Sequence, residues 1–342
     1  MSIKPKRDVA VSSETEALAR LDAELLSHNL EGHWKLANVI KPEPTAWGEP
    51  YLWRWLDIRR LLWRAGEMRG IEGGATRRTV RLCTPGLGAK WATPTIHASV
   101  QLVKPGEIAD AHRHSMGAFR YVLEGKGGYT TVDSQKIEMV PGDLVLTPSL
   151  SWHDHGHDGG TPMIWIDVHD FPFVNYLGGL FFEGFASRMQ AVNEASGALS
   201  SCIYRAADMQ AALLAAELDK ADPALGITIK YESRVGHPDT LPTMGCRLHK
   251  LGESNALAAV RQTANVIYHP VAGTGVTQVG NQTFRWQAGD ILVMPSWTWH
   301  RHAELSDDAV LFSVSDEPIL NAFGLMRREY APKMSHQTGD TR

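Results

Sequence analysis

Residues 139–155 read MVPGDLVLTPSLSWHDH, and residues 286–302 read WQAGDILVMPSWTWHRH. Gly142, Asp143, Pro148, Trp152, His153 and His155 recur as Gly289, Asp290, Pro295, Trp299, His300 and His302, all six at an offset of 147 residues. Upstream, KPGE (104–107) has a weaker echo in KLGE (250–253). Six matches in one ungapped register point to an internal duplication, which decides the architecture before any single element is assigned.

The surroundings of the repeat fix its class. From residue 76 onward, short runs rich in Val, Ile, Leu and Thr alternate with Gly and Pro: TRRTVRLC, TIHASVQLV, FRYVLEG, DLVLTP and MIWIDV. Such spacing predicts small β-barrels or sandwiches. The first 70 residues read as helical. Ser13 to Glu16 matches a capping box ahead of Leu18, Leu21 and Leu25, and YLWRWLDIRRLLWRAGEM (51–68) predicts a helix with a strand-like lead-in. RAADMQAALLAAELDK (205–220) predicts a helix between the two β-rich regions. The expected layout is a helical N-terminal arm (1–75), a first β-barrel (76–178), a helical linker region (179–235) and a second β-barrel (236–342). Trp53, Trp55 and Trp63 are assigned to packing.

Composition narrows the function classes. The chain has 342 residues, 43% hydrophobic and 21% charged, with three scattered cysteines. That excludes a disulfide scaffold and a disordered chain. A net charge of −4 argues against a nucleic-acid binder. No apolar run is long enough to span a membrane, and MSIKPKRDVAVSSETE lacks the apolar core of a secretory signal, so a cytoplasmic location is expected.

Histidines carry the chemistry. His112 and His114 sit two apart on an expected strand, where side chains at i and i+2 share a face. His153 follows a strand and a Pro turn and can return a third imidazole to the same point. Three neutral imidazoles on one side of an ion leave the other side open for substrate. In the second copy Ala258 and Val260 align with His112 and His114, leaving only His300 and His302, so the second barrel is expected to be metal-free. A second metal site in HDHGH (153–157) is disfavoured, and His157 is read as a loop residue.

GEIADAHRH (106–114) and GDLVLTPSLSWH (142–153) resemble the two motifs of the cupin superfamily, and the duplication makes the chain resemble a bicupin: mainly β, two cupin barrels and a helical N-terminal arm. Most cupin sites add a Glu four or five residues after the second His; Ala118 and Phe119 stand there. A site without that carboxylate keeps its full positive charge and suits a dianionic chelating substrate.

The blocks AHRHSMGAFRYVLEGKG (111–127) and PMIWIDVHDFPF (162–173), with WRW (53–55), ATPT (92–95) and LPTMGCR (241–247), resemble the gentisate 1,2-dioxygenase family, which includes salicylate and 1-hydroxy-2-naphthoate dioxygenases. The resemblance implies one Fe(II) per chain, held by His112, His114 and His153, with dioxygen as co-substrate. It implies that Arg120, His155 and one of Arg77 or Arg78 grip a small aromatic hydroxy acid, with Gln101, Asp167 and His97 in the pocket. Strand parity with Val80 and Leu82 favours Arg78 over Arg77. Opening gentisate between its carboxyl- and hydroxyl-bearing carbons would give maleylpyruvate. The resemblance also implies a homotetramer. The sequence departs from the family at His97, where an aromatic residue is usual, and at Val168-His169, which replace Gly-Leu; both positions are expected near the substrate. Other bicupin classes, such as oxalate decarboxylases with two complete His-plus-Glu sites, and non-catalytic ligand-binding cupins fit these residues less well.

Overall fold

The computed structural model describes residues 7–38, 40–68, 78–88, 90–193, 201–217, 221–234, 236–252 and 257–331. Two compact units emerge, residues 1–45 and 46–342. The first contains α1 (Arg7–Ser27) and a 3-10 turn (His33–Asn38), tied internally by Lys35 and Trp34, which both reach Asp22. Helix α1 begins at Arg7, so Ser13 lies inside the helix and does not start it, against the expected capping box. No Pro or Gly separates Arg7 from Ser13, so nothing stops the helix from starting upstream of Ser13.

The second unit opens with β1 (Tyr51–Trp53) and α2 (Trp55–Met68). Then come β2 (Thr79–Arg81), β3 (His97–Val103), β4 (Ile108–His114) and β5 (Ala118–Val132). They are followed by β6 (Gln135–Glu138), β7 (Leu144–Thr147), β8 (His153–His169), α3 (Phe171–Tyr176) and β9 (Phe182–Gly184). The order then repeats with β10 (Ile203–Tyr204), α4 (Ala206–Ala215), β11 (Ile227–Lys230), β12 (Gly245–Lys250) and β13 (Val260–Gln262). Next are β14 (Val266–Ala272), β15 (Thr274–Val279), β16 (Gln282–Gln287) and β17 (Ile291–Met294). The chain closes with β18 (Arg301–Glu304), β19 (Val310–Ser315), α5 (Glu317–Ala322) and β20 (Arg328–Tyr330). These are two cupin barrels. One long strand of the first barrel answers to two shorter ones in the second, at β5 and again at β8.

Each barrel is completed by a strand from the segment that precedes the other. β1 pairs antiparallel with β17, and β10 pairs with β7. The repeated Gly-Asp explains how. Asp290 accepts from the backbone N–H of Trp55, at the start of α2, and pairs with Arg54; Asp143 accepts from the N–H of Ala206, at the start of α4, and pairs with Arg205. A carboxylate at a helix N-terminus satisfies an orphan donor and complements the helix dipole. Gly142 and Gly289 both have positive φ, and a Cβ at either would meet Ala206 or Trp55 at under 3 Å. The motif that reveals the duplication is therefore a docking device for a swapped strand and helix.

Alternation along the strands sorts the two faces. Phe119, Tyr121, Leu146 and Ile166 of the first barrel pack with Ile267, Val293, Phe312 and Val314 of the second, in one core between them. Trp53, Trp55 and Trp63 pack against this core, as expected. Two further bonds cross between the barrels in a pseudo-twofold arrangement: Thr243 donates to Asp170, and Thr95 donates to Asp316. The opposite strand faces point into the barrels. In the first, Val122, Val145, Met163 and Trp165 form a floor beneath the polar interior.

Candidate active site

His112, His114 and His153 converge inside the first barrel, with their candidate ligand atoms within 4.8 Å of one another. The convergence has a local cause at each position. His112 and His114 share a face of β4, and His112 pairs directly with His153 of β8. Each imidazole is aimed by its own backbone: Nδ1 meets the carbonyl of Asp110, Met116 and Ser151 respectively, at 2.6, 2.9 and 3.0 Å. An imidazole that donates from Nδ1 to a carbonyl presents Nε2 as a lone pair. The turn before His153 places Leu150 at φ 65, a costly conformation for a non-Gly residue, and the Leu150 N–H closes on the His114 carbonyl at 2.8 Å. That bond locks the turn carrying the third imidazole to the strand carrying the other two.

The donor set fits a divalent metal. All three rings are 5% exposed or less, and the Nε2 of His153 is buried without a hydrogen-bond partner. Burial, reinforced by His112, Arg120 and His114, holds His153 well below the ordinary imidazole range, so the ring is neutral and available to a metal. Phe182 stacks on His112 at 5.1 Å. Ala118, one of the two positions where a carboxylate ligand is usual in cupins, is buried on the same face of β5 as Arg120, while Phe119 packs in the core between the barrels.

The other expected residues divide. Arg120 is fully buried, donates to Thr147 Oγ1 at 2.7 Å, and lies 3.7 Å from Asp167. The ring of His155 lies 5.7 Å from that of His153, and its Nδ1 is 2.8 Å from Thr130 Oγ1. Gln101 is buried with its Oε1 lacking a hydrogen-bond partner, on the face of β3 that also carries His97. His97 pairs with His169 across β3 and β8, with ring centroids 5.6 Å apart. Burial lowers the pKa of His97 and takes that of His169 down to about 3, despite the opposing charge of Asp167.

Several expectations are corrected. Arg78 is not beside the triad: it is buried against Glu107 and α2. Val80 and Leu82, whose parity it shares, belong to the core between the barrels, so the parity argument selects the wrong face. Thr79 and Arg81 lie opposite Gln101 and Ser99 and share the inward face. Arg81, not considered from the sequence, stands over Trp91, which touches His97 and Phe171. Arg77 lies outside the described residues. His157 is no loop residue: it is buried on β8 and hydrogen-bonded to Thr161 O at 2.7 Å. Val168 packs in the core while its neighbour His169 approaches His114 at 5.9 Å, as alternation requires.

The second barrel can be matched to the first through strand register. Val260 bridges His300 as His112 bridges His153, and the Trp297 N–H closes on Gln262 as that of Leu150 closes on His114. Val260 and Gln262 therefore occupy the two ligand positions, two residues on from the expected Ala258 and Val260. Of the three ligand positions, only His300 retains an imidazole, and its Nε2 meets the Tyr268 hydroxyl at 3.3 Å.

Residues 99–169 match the cupin domain family. The chain is 34% identical over 345 residues to 5-aminosalicylate 1,2-dioxygenase of Comamonas sp, covering 94% of this chain and 92% of the relative. It is 32% identical to gentisate 1,2 dioxygenase 1 of Aquipseudomonas alcaligenes, covering 89% and 94%. Among solved structures, a mutant of the salicylate 1,2-dioxygenase from Pseudoaminobacter salicylatoxidans in complex with gentisate superposes with a TM-score of 0.83 at 28% identity, covering 96% of this chain and 97% of that one.

Proposed function

The chain belongs to the family of gentisate, salicylate and 1-hydroxy-2-naphthoate 1,2-dioxygenases, ring-cleaving bicupin enzymes, and from that premise we propose that it is an Fe(II)-dependent gentisate 1,2-dioxygenase. One observation carries the reading: a buried three-imidazole site with no carboxylate ligand, beside a buried arginine. Three neutral ligands leave the charge of a divalent ion uncompensated, and a substrate offering a carboxylate and an ionised ortho-hydroxyl neutralises it. When bound, the metal supplies the redox chemistry that couples an electron-rich hydroxybenzoate to dioxygen.

The protein's own groups bind and orient. Arg120 pairs with the substrate carboxylate, and Thr147 and Asp167 hold the guanidinium in place for it. His155, fixed through Nδ1 by Thr130, hydrogen-bonds the same end of the substrate. Gln101 offers a buried acceptor on the neighbouring strand. The floor of Val122, Val145, Met163 and Trp165 keeps water from beneath the site. Holding both reactants on one rigid barrel removes much of the entropic barrier to their meeting.

A second reading, a 5-aminosalicylate or other substituted-salicylate dioxygenase, is favoured by the 34% identity to the Comamonas enzyme. Oxygen uptake by Fe(II)-reconstituted protein separates them, with gentisate, salicylate, 5-aminosalicylate and 1-hydroxy-2-naphthoate offered in parallel. Fastest uptake with gentisate is the expected result. Uptake confined to the salicylates moves the assignment to the second reading. No uptake with any of the four, despite bound iron, removes the dioxygenase assignment.

A further inference from the structure

His169 has no role in the scheme above, yet it stands at the triad. Its ring is 5.9 Å from His114, while His155 is 5.7 Å from His153, so the two histidines stand beside different members of the three-imidazole cluster. His169 Nε2 lies 3.8 Å from Asp167 Oδ2. Its Nδ1 is buried and has no hydrogen-bond partner. Side-chain exposure of the ring is 14%, so water offers little compensation. Trp91, His97 and Phe171 pack around the same corner and make an aromatic cup with His169 at its inner edge.

The chemistry of that nitrogen follows from its neighbour. Asp167 is an acceptor, so the single proton of the neutral ring belongs on Nε2, facing it. Nδ1 then carries a lone pair. The two ring nitrogens diverge, so this lone pair does not face Asp167, and it belongs to a ring that stands beside the triad member His114. A buried acceptor with nothing to accept from discriminates by the cost of leaving it unpaired.

We propose that His169 selects hydroxybenzoates bearing a hydrogen-bond donor, a hydroxyl or an amino group, on the ring edge remote from the carboxylate, by accepting that hydrogen bond at Nδ1. The proposal rests on the dioxygenase reading and names its substrate class: 5-hydroxy- and 5-aminosalicylates, ahead of salicylates with an apolar or no substituent there. It gives the departure from family pattern at His169 a function, and it treats gentisate and 5-aminosalicylate as one class.

The test uses binding, so that it does not depend on turnover. Zn(II)-loaded protein is titrated by calorimetry with gentisate, 5-aminosalicylate, 5-methylsalicylate and salicylate. The wild type is expected to bind the two donor-bearing ligands about tenfold more tightly than 5-methylsalicylate, which matches them in size. In His169→Leu that ratio is expected to fall to near one, and in His169→Gln, which keeps an acceptor, to remain above about three. If the leucine variant does not fold, the wild-type series and the glutamine variant still decide. Equal wild-type affinity for 5-methylsalicylate and gentisate, or a ratio unchanged in His169→Leu, overturns the proposal while leaving the dioxygenase reading intact. Failure of the wild type to bind any of the four overturns that reading, and this proposal with it.

Discussion

The two barrels share a backbone plan and differ in what they hold inside. Register makes the match residue by residue. Arg120 pairs with Val145 and Asp167, and Tyr268 pairs with the equivalent Leu292 and Ser313. Gln101 lies opposite Trp165, and His249 lies opposite Leu311 at the same place. The Thr130–His155 pair is repeated as Thr277–His302, at 2.8 Å in both. In the first barrel these positions carry an arginine, an aspartate and three converging imidazoles. In the second, polar groups largely satisfy one another: His249 bonds Thr228 and Ser313, Tyr268 meets His300, and Trp286 donates to Thr277. Duplication preserved the scaffold and the swapped docking of α2 and α4, while a handful of inward positions separated chemistry from support.

The largest expected contrast is between ligand positions. His112→Ala should lower Fe(II)-dependent oxygen uptake by at least about a thousandfold, because a two-imidazole site no longer holds the ion. His300→Ala, its counterpart test in the second barrel, should leave the rate per bound iron within about twofold. Oxygen-electrode rates normalised to iron content check both, and equal losses in the two variants would erase the distinction between the barrels.

Next in size is the arginine. Arg120→Ala should lower kcat/KM by about a hundredfold, while iron is retained. Tyr268→Phe, at the matching position, should leave kcat/KM unchanged and cost about 1 kcal/mol of stability through the lost hydroxyl contact. Steady-state kinetics and urea unfolding of the two variants provide the comparison.

The interiors also predict a pH dependence. Burial takes the imidazoles of His249 down to about 3 and of His269 and His300 down to about 4. In the unfolded chain these rings titrate near 6.5, so between about pH 6.5 and 4 the unfolded state binds protons that the folded state refuses. Stability is therefore full above pH 6.5 and falls as pH drops towards 4, by up to about 1.4 kcal/mol per pH unit for each ring. Urea midpoints of the apoprotein at pH 7.5, 6 and 5 should show this decline, and His249→Gln should flatten it. A decline unaltered in that variant would mean that His249 does not contribute.

The smallest contrast concerns the repeated threonine. Thr130→Val should lower kcat/KM about fivefold by releasing His155, and Thr277→Val should change only stability, by about 1 kcal/mol. Equal kinetic effects of the two would make the pair a folding device in both barrels.

Much of this contrast was legible in the sequence. The Gly-Asp and Trp-x-x-His-type repeats announced the duplication, and the spacing of His112, His114 and His153 announced the triad. What escaped was the choice of face, the register of the second barrel and the exchange of strands. Parity placed Arg78 with Val80 and Leu82 correctly, but periodicity does not say which face of β2 is the interior, and the register gives that face to Thr79 and Arg81. The ligand positions of the second barrel were shifted by a small change in loop length, which identity matching without gaps does not register. The exchange of β1 and β10 between barrels is a tertiary event with no local signal. His169 was visible as a departure from the family, but its buried, unpartnered Nδ1 emerges only when Asp167 and His114 are seen around it.

The central claim is that one barrel holds the metal and the other does not. Metal content per chain after anaerobic Fe(II) reconstitution and desalting, read by plasma mass spectrometry, tests it most directly. The account predicts one iron in the wild type, one in His300→Ala and none in His153→Ala. Two irons in the wild type, or iron retained in His153→Ala and lost in His300→Ala, would contradict it.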